Sequence, residues 1–153
     1  LLQKKASHLW IMAGKWDEAG GKEYNFHENE ITRAGGAELC ANWPTPVTFL
    51  GYEIGVSVIT GGDLPDGDLL KQVMRDHGSI HGRCSWDPML VNLAVIGDPE
   101  TAGYNTVYGW ASVDSADGSN YFIAASDGQH RYVVKKYDDS FYANAINSQL
   151  VLK

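Results

Sequence analysis

Apolar residues along this chain fall into two kinds of pattern: short unbroken runs early and alternating runs late. His8-Leu9-Trp10-Ile11-Met12-Ala13 is unbroken and ends at Gly14, and Val47-Thr48-Phe49-Leu50 follows a proline pair. Runs this short, bounded by turn residues, predict buried strands. Residues 104–113, 121–125 and 131–137 alternate apolar with polar and predict half-buried strands. Asp117-Gly118 and Asp127-Gly128 separate them, and each dipeptide predicts a hairpin turn. Between these strands lie helical periods. Residues 28–41 predict a helix weakened by Gly35-Gly36 and stopped by Trp43-Pro44-Thr45-Pro46. Residues 68–77 set Leu69, Leu70, Val73 and Met74 on one side of an amphipathic helix. Asp87-Pro88 reads as a cap followed by the first helical residue, and the segment to Ile96 is apolar nearly all round, as expected of a central helix. Residues 138–150 predict a closing helix capped by Asp138 or Asp139, and residues 1–6 read as the end of a helix. The polar stretch 15–22 predicts a loop that delivers Glu23 and Asn25.

This order, helices and unbroken strands followed by alternating strands, predicts an α/β layer with an added hairpin region. No internal repeat, low-complexity segment or linker interrupts it, so residues 1–153 read as one domain or a piece of one. A formal charge of −7 argues against a phosphate-backbone ligand, since a nucleic-acid binder carries a basic stripe. No run of about 18 apolar residues predicts a membrane span, and a neutral small molecule suits the chain better than either partner. Cys40 and Cys84 stand outside any zinc or CxxC spacing. The usual burial of cysteine favours two thiols over one disulfide. No Asn-x-Ser/Thr acceptor occurs. The compartment stays open on these grounds, with a secreted or extracellular setting favoured over the cytoplasm.

Few residues stand out as chemical. Asp87, at a strand-to-helix junction, has the placing of a helix cap and also of a hard-cation ligand, because the helix terminus keeps its carboxylate ionised. Trp86 beside it reads as a core side chain or as a platform for a flat heterocycle. Glu23 and Asn25 stand two apart; on an extended loop both would point one way, toward a polyhydroxylated ligand or toward solvent, with Tyr24 and Phe26 turned to the core. His77 and His81 have the i, i+4 spacing of a helical metal pair, but Gly78 and Gly82 argue against a continuous helix there. No nucleophile elbow, P-loop or dinucleotide fingerprint is found, so a covalent nucleophile is not indicated.

Taken together and in order, several segments resemble the C-terminal half of the ribonucleoside hydrolase family, of the inosine-uridine-preferring type. They are Leu9-Trp10-Ile11-Met12-Ala13-Gly14, Glu23-Tyr24-Asn25-Phe26, Pro46-Val47-Thr48-Phe49-Leu50-Gly51-Tyr52-Glu53 and Ser85-Trp86-Asp87-Pro88. The resemblance covers roughly residues 8–113. It implies an open, mostly parallel sheet with flanking helices and a C-terminal hairpin region. It also implies hydrolysis of the N-glycosidic bond of ribonucleosides. Asp87 would ligate a Ca²⁺ ion, and Glu23 and Asn25 would bind the ribose hydroxyls. Trp86 would stack on the base, which favours purine nucleosides. Asp17 is the nearest polar counterpart of a further family asparagine. The aspartate-rich motif that opens the family, which supplies most metal ligands and the water-activating base, has no counterpart in this sequence. The expectation is therefore a processed chain, completed by the N-terminal half of its precursor or a complementary chain, in an oligomer. The rival expectations are a nucleoside- or sugar-binding protein without catalysis, and a structural or storage protein on the same fold.

Overall fold

The computed structural model describes residues 1–150. A short helix α1 (Leu2–Lys5) leads into β1 (Leu9–Met12), followed by the helical turn α2 (Tyr24–His27) and α3 (Glu30–Asn42). Then come β2 (Val47–Leu50), the turn α4 (Tyr52–Gly55), β3 (Ile59–Thr60), α5 (Leu69–Asp76), β4 (Arg83–Cys84) and α6 (Trp86–Ile96). The chain finishes with β5 (Tyr104–Val113), β6 (Asn120–Ala124), β7 (His130–Lys135) and α7 (Asp139–Leu150). Five strands form one sheet in the order β1-β2-β7-β5-β6, and β3 pairs with β4 in a separate ribbon. β1, β2 and β7 pair in parallel, while β5 lies antiparallel to both β7 and β6. Four of the five strands thus run one way with β5 alone opposed, a mixed α/β sheet with flanking helices.

Alternation along the strands divides the core in two. Trp10, Met12, Leu50, Val133 and Tyr104 turn to the face packed against Met89 and Leu93 of α6 and Tyr142 and Ile146 of α7. Leu9, Ile11, Val47, Phe49, Ala111 and Val113 turn to the other, toward Phe26, Cys40 and Trp16. Trp16, placed by its polar neighbours in a solvent loop, is 6% exposed and sits among Phe26, Phe49, Phe122 and Tyr132. Its indole N–H donates to Ala13 O at 3.0 Å. The loop that carries it is fixed by the fully buried Asn120. Its amide accepts from Lys15 N at 2.9 Å and donates to Lys15 O at 2.7 Å. One side chain thereby satisfies both backbone groups of a residue 105 positions away.

Only one of the two expected hairpins forms. Asp117-Gly118 joins β5 to β6 as an antiparallel pair. Asp127-Gly128 joins β6 to β7, which do not pair; the two strands flank β5 on opposite sides. Gly109 faces Ala124 on one flank and His130 on the other, so β7 continues the direction of β6 after crossing β5 at Gly109. A Cβ on Gly128 would lie 2.1 Å from Gly109 O, and one on Gly109 would lie 2.1 Å from Ile123 O. The crossing is backbone against backbone, which only glycine permits.

Three further expectations are corrected. β1 lies at a sheet edge and its residues are half-buried, whereas an apolar run without alternation predicts a fully covered strand. In α5 the apolar stripe turns outward: Leu69 and Val73 are 75% and 57% exposed, while Lys71 is buried, its ammonium donating to the carbonyls of Gly62 and Ile80. Two carbonyls that need a donor outweigh the apolar stripe of one short helix. In α6 only Met89 and Leu93 are buried, with Val91 and Val95 exposed, so that helix is covered on one face and is not central. The turn α4 and the β3/β4 ribbon were not expected, since elements of two to four residues carry no periodicity. Both cysteines are free thiols, and burial pushes the Cys40 thiol up to about 12.

Candidate functional site

The candidate residues collect where β1, β2 and the start of α6 end together, at the carboxyl edge of the parallel strands. Open α/β sheets bind ligands at such edges, because the loops diverge there and leave backbone groups free. β1 ends in Met12-Ala13-Gly14 and β2 in Leu50-Gly51. The two loops are tied by a hydrogen bond from Tyr52 N to Gly14 O at 2.8 Å. Gly14 takes φ +82°, and a Cβ there would lie 2.5 Å from the Trp16 ring. Glycine is therefore required for the chain to turn over that indole.

Glu23 and Asn25 are brought together, but not as an extended pair. Glu23 is the cap of α2, with extended backbone, and Asn25 sits in the helical turn that follows. The Glu23 side chain is 6% exposed. Oε2 accepts from Gly14 N at 2.9 Å, and Oε1 accepts from Asn25 N at 3.0 Å and from the Asn25 amide at 3.1 Å. Burial pushes the Glu23 carboxyl above the ordinary carboxylate range; the N–H groups of Asn25 and Gly14 work against that rise, and the charge of Asp87 adds to it. Tyr24, expected in the core, is 68% exposed, because a helical turn breaks the alternation an extended loop would impose; Phe26 is buried as expected. The Asn25 amide N–H groups reach Met12 O at 3.1 Å and Glu23. That leaves its carbonyl oxygen as the group presented to solvent.

Asp87 lies in the first turn of α6, near enough to Glu23 for its charge to be felt there. The expected cap role falls to Ser85, which makes no side-chain capping bond; the helix begins at Trp86, so Pro88 is its third residue. Asp87 is exposed and free of a local cap bond, and its charge lies at the positive helix end. Trp86 is half-buried and fixed. Its Nε1 donates to Tyr52 O at 2.7 Å, and its ring stacks on Tyr52 with centroids 5.6 Å apart and planes 29° from parallel. Asp17 stands apart from Asp87 and Asn25 in its contacts, ion-paired with Lys15 at 3.1 Å.

Two neighbours that sequence reasoning missed join the site. Tyr52, 39% exposed, completes an aromatic pair with Trp86. Glu53 accepts from Trp16 N at 3.3 Å. Burial raises its carboxyl, against N–H bonds from its own backbone and Trp16, while Asp17 pushes it up and Lys15 pulls it down. The signal available for both was Gly51 closing a four-residue buried strand, which marks a strand end at the ligand edge.

Calcium asks for six to eight oxygen ligands. Among the described residues no group of three or more His, Cys, Asp and Glu side chains could hold a metal ion. Both oxygens of Glu23 are already committed to N–H donors and Glu53 Oε2 accepts from Trp16 N, leaving Asp87 as the one exposed carboxylate of the three. The described residues alone therefore do not fit a calcium site. His77 and His81 do not form a metal pair either: α5 stops at Asp76 with His77 as its cap, so i, i+4 helical geometry is lost. No protein-family model matches the chain, and a comparison with curated proteins likewise finds no match.

Proposed function

We propose that this chain forms the ribose- and base-facing side of a ribonucleoside hydrolase, with purine nucleosides as substrates. The observation that carries this reading is the meeting of Asn25, Glu23, Asp87 and the Tyr52–Trp86 pair at one carboxyl edge of parallel strands. Asn25 Oδ1 accepts a ribose hydroxyl, and Glu23 acts through Asn25 by holding its amide. The Tyr52–Trp86 rings offer the apolar face a purine needs. Cleavage of an N-glycosidic bond builds positive charge on the ribose ring, as in other glycoside hydrolysis. The negative charges of Asp87 and Glu23 favour that charge electrostatically. Asp87 would offer one oxygen toward a Ca²⁺ ion only if another polypeptide supplied the remaining ligands and a water-activating base, since the described residues alone do not make that site.

A second reading is a nucleoside- or sugar-binding protein without catalysis. It is favoured by the commitment of both Glu23 oxygens to local N–H groups.

The test is turnover of inosine and guanosine by the natively isolated protein together with every chain that co-purifies, with calcium and after chelation. Calcium-dependent release of the free base, lost in Asp87→Asn and weakened in Asn25→Ala, supports the hydrolase. Nucleoside binding without base release supports the second reading. An assembly that neither binds nor cleaves nucleosides refutes both.

A further inference from the structure

The face of the sheet that α6 and α7 cover is covered only in part. Toward the other end of the same face, cross-strand partners place Trp10, Thr48, Arg131 and Tyr108 side by side across β1, β2, β7 and β5. Trp110 and Ile123 follow as an opposed pair on β5 and β6. Tyr108, Trp110 and Ile123 are 47%, 43% and 70% exposed, whereas Tyr104, under the helices on the same face, is 3% exposed.

Arg131 is held at the centre of this surface. Its Nε donates to the buried Thr48 hydroxyl at 2.6 Å, and the same hydroxyl meets His8 Nε2 at 2.7 Å. The guanidinium lies 5.5 Å from the Trp10 ring centroid and 5.9 Å from that of Tyr108. It forms no ion pair among the described residues. Nη1 also donates to the Tyr108 hydroxyl at 3.4 Å, and a fork fixed in this way leaves its N–H groups with little rotamer entropy to lose on binding. They face a polar cavity of about 300 Å³ lined also by Asp98, Glu100, Asn105 and Thr106. That volume is at the small end of ligand sites, which span roughly 300–1,000 Å³.

We propose that this cavity, with the exposed rings of Tyr108 and Trp110 beside it, binds a neutral saccharide. The cavity holds a guanidinium and two carboxylates together, Glu100 also 3.4 Å from the Lys136 ammonium and Asp98 also accepting from Thr101 N at 2.8 Å, so ions of either sign meet a like charge there. A sugar hydroxyl is both donor and acceptor, so vicinal hydroxyls satisfy carboxylate and guanidinium at once. The C–H face of a sugar ring suits an aromatic platform, which adds apolar area without demanding charge. The site shares no residue with the proposed nucleoside edge.

Affinity electrophoresis of the natively isolated protein tests the proposal, in gels containing laminarin, galactomannan or arabinoxylan, with calorimetry against the matching hexasaccharides. Retardation by a neutral polysaccharide is expected, weakened about tenfold, or 1.4 kcal/mol, in Trp110→Ala and again in Tyr108→Ala. Both positions are exposed, so unchanged cooperative melts separate lost binding from lost folding. Absence of retardation and heat with every neutral saccharide overturns the proposal. So does retention on dextran sulfate alone, which marks a simple ionic surface, or neutral retention that neither variant alters.

Discussion

Replacing Gly128 by alanine sets the chain crossing over β5 against itself. The new Cβ would lie 2.1, 2.3 and 2.4 Å from the O, C and Cα of Gly109, all backbone atoms with no rotamer to yield. Since carbon atoms of this kind do not approach within 3.0 Å, the two segments must part by about an ångström. The hydrogen bonds that pin the crossing, Ala125 N to Tyr108 O and Ala111 N to His130 Nδ1, both measure 2.9 Å. Such a displacement takes them past useful length. Overpacking costs about 1–3 kcal/mol and each lost buried hydrogen bond about 1–3 more. The stiffer unfolded chain returns only about 0.4–1 kcal/mol. The expected net loss is about 2–9 kcal/mol, a fall in Tm of roughly 4–35 °C for a chain of this size. Gly109→Ala, aimed at Ile123 O, should match it. Gly35 supplies the opposite sign: it is exposed in α3 with nothing within 4 Å of an added Cβ, so Gly35→Ala should gain about 0.5–1 kcal/mol from helix propensity. Denaturant unfolding of the natively isolated protein and the three variants measures all of this. A Gly128→Ala protein as stable as the parent, or stabilised as Gly35→Ala is expected to be, would refute the close crossing.

Other outcomes follow from the same contacts. Glu23→Gln substitutes an N–H group where backbone N–H groups must be accepted, so it should cost about 1–3 kcal/mol at neutral pH and weaken ribose binding through Asn25; denaturation midpoints and nucleoside titration check it. Burial, then the Arg131 charge, hold the His8 imidazole down at about 4, against 6.5 unfolded. Between those values the unfolded chain binds more protons, so this contribution is complete above about 6.5 and is lost on acidification toward 4. At about 1.4 kcal/mol per pH unit it has a ceiling of about 3 kcal/mol, which solvent screening of the half-buried ring reduces. His8→Asn should flatten that slope in a pH series of unfolding curves. Glu23 and Glu53, raised in the fold, act oppositely: their contribution is present below the unfolded carboxylate value and is lost as pH rises through the folded one. Asn120→Leu strands both backbone groups of Lys15 and should cost about 2–4 kcal/mol, with faster amide exchange across the loop that carries Trp16.

Element positions were legible where periodicity or a breaker is strong. The helices near residues 28–41, 68–77 and 138–150 appear as Glu30–Asn42, Leu69–Asp76 and Asp139–Leu150, and the late alternating strands fall within a few residues of their expected bounds. The family resemblance grouped Glu23, Asn25, Trp86 and Asp87 around one ligand, and the fold brings them to one edge of the parallel strands. Their roles were less legible. Whether Glu23 faces a ligand or caps a turn depends on Gly14 N, nine residues away, and no local pattern contains that partner. Tyr52 becomes a site residue only because Trp86, 34 positions later, reaches its carbonyl.

By itself the sequence determined which stretches extend, which coil and where they stop, because propensity, capping and breaker residues act over a few bonds. Tertiary structure alone decided which side of each element is buried and which strands are neighbours. Leu69 and Val73 face solvent because two carbonyls, each nine residues from Lys71, take its ammonium. Asp127-Gly128 makes a crossing instead of a hairpin because β2 offers β7 a parallel edge and Gly109 lets the chain pass over β5. These outcomes rest on contacts between residues far apart in the chain, whose energies exceed the local preferences they override.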